Sequence, residues 1–350
     1  MRERRSIVER WEHGNAAALV TLVHTEGSSY RRPGARLLVA ADGSTVGGIS
    51  GGCLEAEVAR KARWAVRSGA LVERFSTVFD DTDEIPYGLG CGGTLDLLIE
   101  PAASPEASAL VHAMRDSLLG LRRNVVTWLP LNGEPLRRAI YDESGSNLFK
   151  SQGASSHNSI FDEWLEPPQR LLIFGAGDDA QPMTALASLL GWRSIVVDGR
   201  AQFARPERFP AAGAVITSTG LGDIMPRRED AVVIMGHSYL QDRAWLTAVM
   251  PHQPRYLGLL GSRHRSSLLV SEAAVALGWN LERACHNLFA PVGLDLGGDG
   301  AEAIALATIS EIQACCQGKL GHSRRMSPEL IVEQVAQGGA SRYLQTQCAL

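Results

Sequence analysis

The chain has 350 residues, of which 45% are apolar and 21% charged, and its formal charge is −4. That length suggests two domains, each able to bury its own core, in an ordinary globular protein. Basic residues occur only in short clusters such as Arg2-Glu3-Arg4-Arg5, so nucleic acid is not expected as the principal partner.

Residues 1–11 are charged and lack the apolar stretch of a signal peptide, and no apolar run is long enough to span a bilayer. Six cysteines (Cys53, Cys91, Cys285, Cys315, Cys316 and Cys348) form no CxxC pair and no even framework, which predicts reduced thiols in a cytoplasmic protein. Histidines and cysteines do not group at zinc-ligand spacing.

Residues 17–24 (AALVTLVH) form an apolar, β-branched run that predicts a strand, turned by Glu26-Gly27-Ser28-Ser29. A second strand is predicted at 35–41, with a hairpin-type turn at Asp42-Gly43. Then comes the most informative stretch, Gly47-Gly48-Ile49-Ser50-Gly51-Gly52-Cys53-Leu54-Glu55. Glycines this dense let backbone approach a ligand, at an entropic cost that a core-packing cysteine would not require. From Leu54 the spacing of Val58, Ala62 and Ala65 predicts a helix, with Glu55 and Glu57 early and Arg60, Lys61, Arg63 and Arg67 late. Cys53 therefore falls at a helix start, where a thiolate is stabilised, although Glu55 opposes that. A shorter echo, Gly90-Cys91-Gly92-Gly93, follows the acidic residues 80–84. Each cysteine has two readings, an accessible thiol or a small buried apolar residue.

Strands near 71–75, 94–99 and 124–129 and a helix over 106–119 complete an α+β first half. The Ser/Gly/Asn-rich residues 142–158 read as a linker, closed by Glu166-Pro167-Pro168. Domains are thus expected over 1–160 and 168–318, with a tail over 319–350.

From Arg170 the pattern changes. Leu171-Leu172-Ile173-Phe174 reads as a buried strand, Gly175-Ala176-Gly177-Asp178-Asp179-Ala180 as a G-x-G-x-x-A turn, and Ile195-Val196-Val197 as a second strand ending at Asp198. Strand, turn, helix, strand and terminal acid in that order make a Rossmann βαβ unit. Further strand runs at 214–217, 231–235 and 256–260 predict a doubly wound parallel sheet. Its ligand edge would carry Gly175, Gly177, Asp198, His237, Ser262 and Arg263. Arg263, His264 and Arg265 could hold a phosphate, though Arg265 reads as part of a solvated helix start; His237 with Asp242 could orient a ligand or act as acid–base. Asp178 and Asp179 lie where a pyrophosphate would meet the helix. They read as helix caps, and their charge opposes that ligand, so NAD(P) is open but not favoured.

In order along residues 7–316, the chain resembles the XdhC/CoxI family, accessory factors of xanthine dehydrogenase and related molybdenum hydroxylases. The matching motifs are Gly27-Ser28-Ser29-Tyr30-Arg31-Arg32-Pro33-Gly34-Ala35, Gly48-Ile49-Ser50-Gly51-Gly52-Cys53-Leu54-Glu55 and Gly88-Leu89-Gly90-Cys91-Gly92-Gly93. In the second half they are Phe174-Gly175-Ala176-Gly177, Val197-Asp198-Gly199-Arg200, His237 with Asp242, the run from Tyr256 to Arg263, and Pro291-Val292-Gly293-Leu294-Asp295-Leu296-Gly297. The resemblance implies a CoxI-type N-terminal domain joined to a Rossmann-like domain. It implies a chaperone that binds molybdenum cofactor (molybdopterin), protects it during sulfuration and passes it to an apo molybdenum hydroxylase, without turning over a substrate. A cysteine desulfurase would supply sulfur, and a homodimer is compatible with this picture. Cys53 and Cys91 are then expected at the metal, as soft ligands suited to molybdenum. Gly51, Gly52, Gly92 and Gly93 would bring backbone close, and Arg31 or Arg32 would meet the pterin phosphate. Two departures from the family pattern add carboxylates: Asp178-Asp179 after Gly-Ala-Gly, and Gly298-Asp299-Gly300-Ala301-Glu302 after Gly297. The alternatives are an NAD(P)-dependent oxidoreductase, from the G-x-G-x-x-A unit and Asp198, and a thiol sulfur carrier using Cys53 and Cys91.

Overall fold

A computed structural model describes residues 1–52, 54–76, 93–131, 133–153, 160–222 and 224–322. They form two compact units, and the chain passes from one to the other at Pro167-Pro168. No helix among the described residues is long and apolar enough to cross a membrane.

The first unit opens with α1 (Arg2–Glu12), β1 (Ala16–Glu26), β2 (Arg36–Ala40) and β3 (Thr45–Gly47). It continues with α2 (Glu55–Ala65), β4 (Leu71–Ser76), β5 (Thr94–Pro101) and α3 (Pro105–Leu118). The strands form an antiparallel sheet in the order β3-β2-β1-β5-β4. Successive side chains of a strand point to opposite faces, and here both faces are covered. Ala18, Val20 and Leu22 of β1 join Val58, Ala59 and Ala62 of α2. Leu19 packs instead with Ile7 and Val8 of α1 and Leu110, Val111 and Met114 of α3. That two-sided burial explains why β1 reads as an unbroken apolar run.

A second antiparallel sheet, in the order β8-β7-β6-β9, comprises β6 (Arg123–Trp128), β7 (Arg137–Tyr141), β8 (Asn147–Lys150) and β9 (Ile160–Leu165). Its Val125, Ile140 and Leu165 enter the core shared by α1 and α3. The stretch read as a linker therefore contains a strand. Its polar run makes a tight turn, in which Asp142 Oδ1 accepts from the backbone N–H of Ser144 (2.9 Å) and Ser146 (2.8 Å).

Two arginine–glutamate pairs join the sheets. Arg138 on β7 donates to both carboxylate oxygens of Glu100 on β5, at 2.9 and 3.1 Å, and both side chains are buried. The same guanidinium bonds Thr127 Oγ1 on β6 (3.1 Å) and the Glu106 carbonyl on α3 (2.6 Å). Arg36 on β2 pairs with Glu163 on β9.

The second unit holds β10 (Arg170–Phe174), α4 (Ala180–Leu189), β11 (Arg193–Asp198), β12 (Ala214–Thr217) and β13 (Ala231–Ile234). These are followed by α5 (Tyr239–Val249), β14 (Tyr256–Leu259), α6 (Arg263–Leu277), α7 (Leu281–Ala284), β15 (Leu288–Phe289) and α8 (Ala301–Cys316). All pairings are parallel and the order is β12-β11-β10-β13-β14-β15, so within this unit the strands run 3-2-1-4-5-6, as in dinucleotide-binding sheets. Residues of α4 and α8 pack with Leu171, Ile173 and Val233, while α5 and α6 pack with Leu172, Phe174 and Val232 on the other face. The expected architecture, an α+β half followed by a doubly wound parallel sheet, is what the chain adopts.

Removing one partner of a buried ion pair leaves an uncompensated charge, at a cost of about 3–5 kcal/mol. Arg138→Met should therefore lower unfolding stability by about that amount in denaturant titration, and Glu100→Leu in the same chain should recover most of it. A loss below about 1 kcal/mol for the single variant would mean that the pair does not hold the sheets together.

Candidate functional site

In the first unit, the glycine-rich segments meet at the end of the β1–β5 ladder. Glu26 pairs with Thr94 there, which lays Gly93 beside the loop that follows β1. A Cβ on Gly93 would fall 2.2 Å from the Ser28 carbonyl oxygen and 2.7 Å from that of Glu26, so only glycine fits. Two residues further on, the Tyr30 ring, 74% exposed, lies against Gly51, where an added Cβ would sit 3.6–3.8 Å from three ring carbons. Segments 27–35, 48–55 and the residue preceding β5 are thus brought to one place.

Glu55, the first residue of α2, folds back over this junction. Its Oε1 accepts from the N–H groups of Ile49 (3.1 Å) and Ser50 (2.8 Å), and its Oε2 from Ser50 Oγ (2.5 Å). The Ser50 hydroxyl in turn accepts from Leu54 N–H at 3.2 Å. Burial pushes the Glu55 carboxyl up, but the Ser50 and Ile49 bonds bring it below the ordinary carboxylate range. Glu55 therefore clasps the loop as a carboxylate. Sequence reading casts it as an acid favoured at the helix start and as an opponent of the Cys53 thiolate; the signal it misses is a serine five residues before a helix-starting glutamate.

Of the residues expected here, Gly51, Gly52 and Gly93 are in place on these segments. Cys53, Cys91 and Gly92 lie outside the described residues, as do the acidic residues 80–84. Arg31 is committed to Glu3, with one N–H···O contact of 2.8 Å and a second, shorter one. Arg32 is exposed; its carbonyl accepts from Ala35 N–H at 3.1 Å, and its side chain makes no hydrogen bond or ion pair among the described residues.

In the second unit, strand order reverses between β10 and β13, the position where open α/β sheets take their ligands. Gly175 turns the chain at φ +124°, and a Cβ there would lie 2.4 Å from the Met235 carbonyl oxygen. Asp198, at the end of β11 and 2% exposed, is fully engaged by its own chain. It accepts from Ala176 N–H (2.8 Å), Arg200 N–H (2.9 Å) and the Arg200 guanidinium at both oxygens (2.9 and 2.8 Å). Burial raises its carboxyl, and the Arg200 and Ala176 bonds hold it below its usual range. The acid that would take a ribose hydroxyl is thus already satisfied.

Asp178 and Asp179 do not cap α4, contrary to expectation: the helix has no side-chain cap bond. Asp178 pairs with Arg208 at 2.7 Å, and Arg208 also donates to the Ala176 carbonyl (2.7 Å). Asp179 lies 3.3 Å from His237 Nε2, in ion-pair geometry if the ring is protonated. His237 itself has a left-handed backbone (φ 60°), and an added Cβ on Gly177 would sit 3.5 Å from its Nε2. Gly177, Asp179 and His237 therefore meet at the head of α4.

The expected His237–Asp242 pairing is replaced by another. Fully buried Asp242 accepts from Gly236 N–H (3.0 Å) and from Arg265 (2.7 Å), and burial pushes its carboxyl up in spite of that arginine. Arg265, read as solvated, is thus the partner of a buried acid. Ser262 caps α6 by accepting from Arg265 N–H (3.3 Å), and Arg263 beside it is exposed. Within this unit, Asp178, Asp198 and Asp242 are each paired with an arginine of the same chain. Among the described residues no group of three or more His, Cys, Asp or Glu side chains is placed to hold a metal ion.

Comparison with known proteins places these features. A model described as the XdhC Rossmann domain matches residues 171–312, and one described as the XdhC and CoxI family matches residues 10–76. A Bacillus subtilis protein named as a probable subunit of xanthine dehydrogenase is 27% identical over 336 residues, covering 86% of this chain and 93% of its own. The molybdenum cofactor insertion chaperone PaoD of Escherichia coli is 28% identical over 313 residues, covering 88% and 86%. A crystal structure titled as a xanthine dehydrogenase from Bacillus halodurans superposes with a TM-score of 0.79 at 26% identity, covering 94% of this chain and 99% of that one.

Two outcomes follow from the second-unit geometry. Calorimetric titration with NAD or NADP should show no binding tighter than millimolar, because Asp198 is spent and Asp178 and Asp179 face the phosphate position; micromolar affinity would restore the dehydrogenase alternative. Asp198→Asn should also lower unfolding stability at neutral pH, by about 1–3 kcal/mol. Because the folded carboxyl titrates below its unfolded value of about 3.9, that contribution is complete above the unfolded value and lost as pH falls through the folded one. The gap between wild type and variant should therefore narrow as pH falls below about 4 and stay constant between pH 6 and 8.

Proposed function

This chain belongs to the XdhC and CoxI family, and from that premise we propose that it binds molybdenum cofactor and delivers it to a xanthine dehydrogenase-type hydroxylase. The observation that carries the reading is the junction in the first unit, where three glycine-bearing segments far apart in sequence converge, Gly93 against Ser28 and Tyr30 against Gly51. In sequence, Cys53 follows Gly52 directly and Cys91 precedes Gly93 by two residues. A soft thiolate is a suitable temporary ligand for molybdenum, and glycine-flanked backbone N–H groups suit an anionic pterin. The relatives support it by name, one being a molybdenum cofactor insertion chaperone and another a probable subunit of xanthine dehydrogenase.

The protein delivers and does not catalyse. In the second-unit crevice Asp198 and Asp242 are tied to arginines, and His237 faces Asp179. No acid, base and nucleophile stand in a recognisable role order among the described residues. The client is a cytoplasmic hydroxylase that acquires its cofactor late, with a cysteine desulfurase supplying sulfur.

Cys53→Ser or Cys91→Ser should lower the molybdenum and pterin content of protein purified from a host that makes the cofactor, with a stability change below about 1 kcal/mol. Full cofactor retention accompanied by a large loss of stability would instead make these cysteines core residues. Deleting the gene should leave the hydroxylase expressed, with normal iron–sulfur and flavin content but a depleted sulfurated molybdenum centre. Loaded wild-type protein should restore activity and the Cys53→Ser form should not. Equal hydroxylase activity and molybdenum content with and without the gene would overturn the assignment.

A further inference from the structure

The first unit contains an open cleft of about 430 Å³, lined by Arg4 and Ile7 of α1, by the loop that carries Tyr30, Arg31 and Arg32, and by Arg36 of β2. Two of its arginines are neutralised, Arg31 by Glu3 and Arg36 by Glu163. Arg4 is not. Its guanidinium donates to Ser117 Oγ (2.8 Å) and to the Glu166 backbone carbonyl (2.7 Å), both uncharged acceptors. Among the described residues no carboxylate lies within ion-pair distance of it, and the Glu166 carboxylate is taken by Arg122. Burial, with the neighbouring Arg36 guanidinium, lowers Arg4 to about 10, so it remains charged at neutral pH.

Arg36 adds a second unmet demand. It is 6% exposed, and its Nε is buried without a hydrogen-bond partner, although a buried donor left unpaired is costly. Arg32, at the rim, is exposed and unpaired among the described residues. The cleft therefore carries more positive charge than its own carboxylates balance. Planar guanidinium groups held this way recognise the oxygens of phosphate through paired, charge-assisted hydrogen bonds.

We infer that this cleft is a binding subsite for a phosphate monoester, held by Arg4 and Arg36 with Arg32 at its mouth. Resting on the function proposed above, the monoester is the terminal phosphate of the pterin cofactor. Sequence reading puts that phosphate on Arg31 or Arg32; Arg31 is already held by Glu3, and the buried arginines are the ones with unsatisfied capacity.

The test uses the full chain titrated with inorganic phosphate and, separately, with phenyl phosphate, followed by calorimetry and thermal shift. Saturable binding of both is expected, weakened about tenfold by Arg32→Gln and more by Arg4→Gln, while Arg263→Gln in the second unit changes nothing. Because Arg4→Gln also removes two structural hydrogen bonds, the exposed Arg32→Gln variant carries the test if the former fails to fold. Absence of saturable phosphate binding, or binding unchanged by Arg32→Gln, or binding abolished by Arg263→Gln, would overturn the subsite. Molybdenum and pterin content measured in the same variants separates the two claims. Phosphate binding without any pterin in wild-type preparations would leave the subsite standing and overturn the function. Undiminished pterin in a folded Arg4→Gln or Arg32→Gln protein would overturn the subsite and leave the function.

Discussion

Arg138 and Glu100 meet where neither can reach water, and the first unit depends on their doing so. Each charge alone would be expensive to bury, by several kcal/mol even after relaxation. Together they satisfy one another through two hydrogen bonds, and Thr127 and the Glu106 carbonyl take two further contacts from the guanidinium. One side chain on β7 thereby fixes the position of β5, β6 and α3. An apolar filling of equal volume could stabilise as well, but it would tolerate a shifted register in a way that a five-donor fork does not. The Arg36–Glu163 pair repeats the device between β2 and β9.

The same economy of charge governs the second unit and decides what its crevice can do. Asp198 with Arg200, Asp242 with Arg265, and Asp178 with Arg208 are each closed within the chain. A Rossmann sheet normally leaves its strand-end acid and its first helix open to a ligand. Here the acid holds the turn itself through Ala176 N–H, and the helix end faces carboxylates. The fold is retained while the customary contacts are spent on architecture. The anion subsite inferred above lies instead in the first unit, at Arg4 and Arg32, which pair with no carboxylate among the described residues, and at the unpaired Nε of Arg36.

Much of the fold is legible in the sequence because the relevant signals are local. The run 17–24 announces a doubly buried strand, and strand, glycine turn, helix, strand and Asp198 announce the βαβ unit. Elements are lost where local signals conflict with tertiary ones. Helix α1 is mostly charged and buries only Ile7 and Val8, so no helix is predicted there. Strand β7 centres on buried Arg138 and is not predicted, and β8 follows a polar turn closed by Asp142, so residues 142–158 read as linker. Pairing partners are the least legible part of the site. Asp242 has His237 nearby in sequence but bonds Arg265, 23 positions away, and Asp178 finds Arg208 at 30 positions. Such choices depend on which strand ends become neighbours, which residue spacing does not encode.

The antiparallel pairing of β4 with β5 sets Ser76 opposite Thr94. Residues 77–93, which include Cys91 and the acidic run at 80–84, therefore join two strands that are neighbours in the sheet. Six residue pairs, from Leu71 with Ile99 to Ser76 with Thr94, hold that register, so the point at which Gly93 enters the junction beside Ser28 is fixed by the ladder itself.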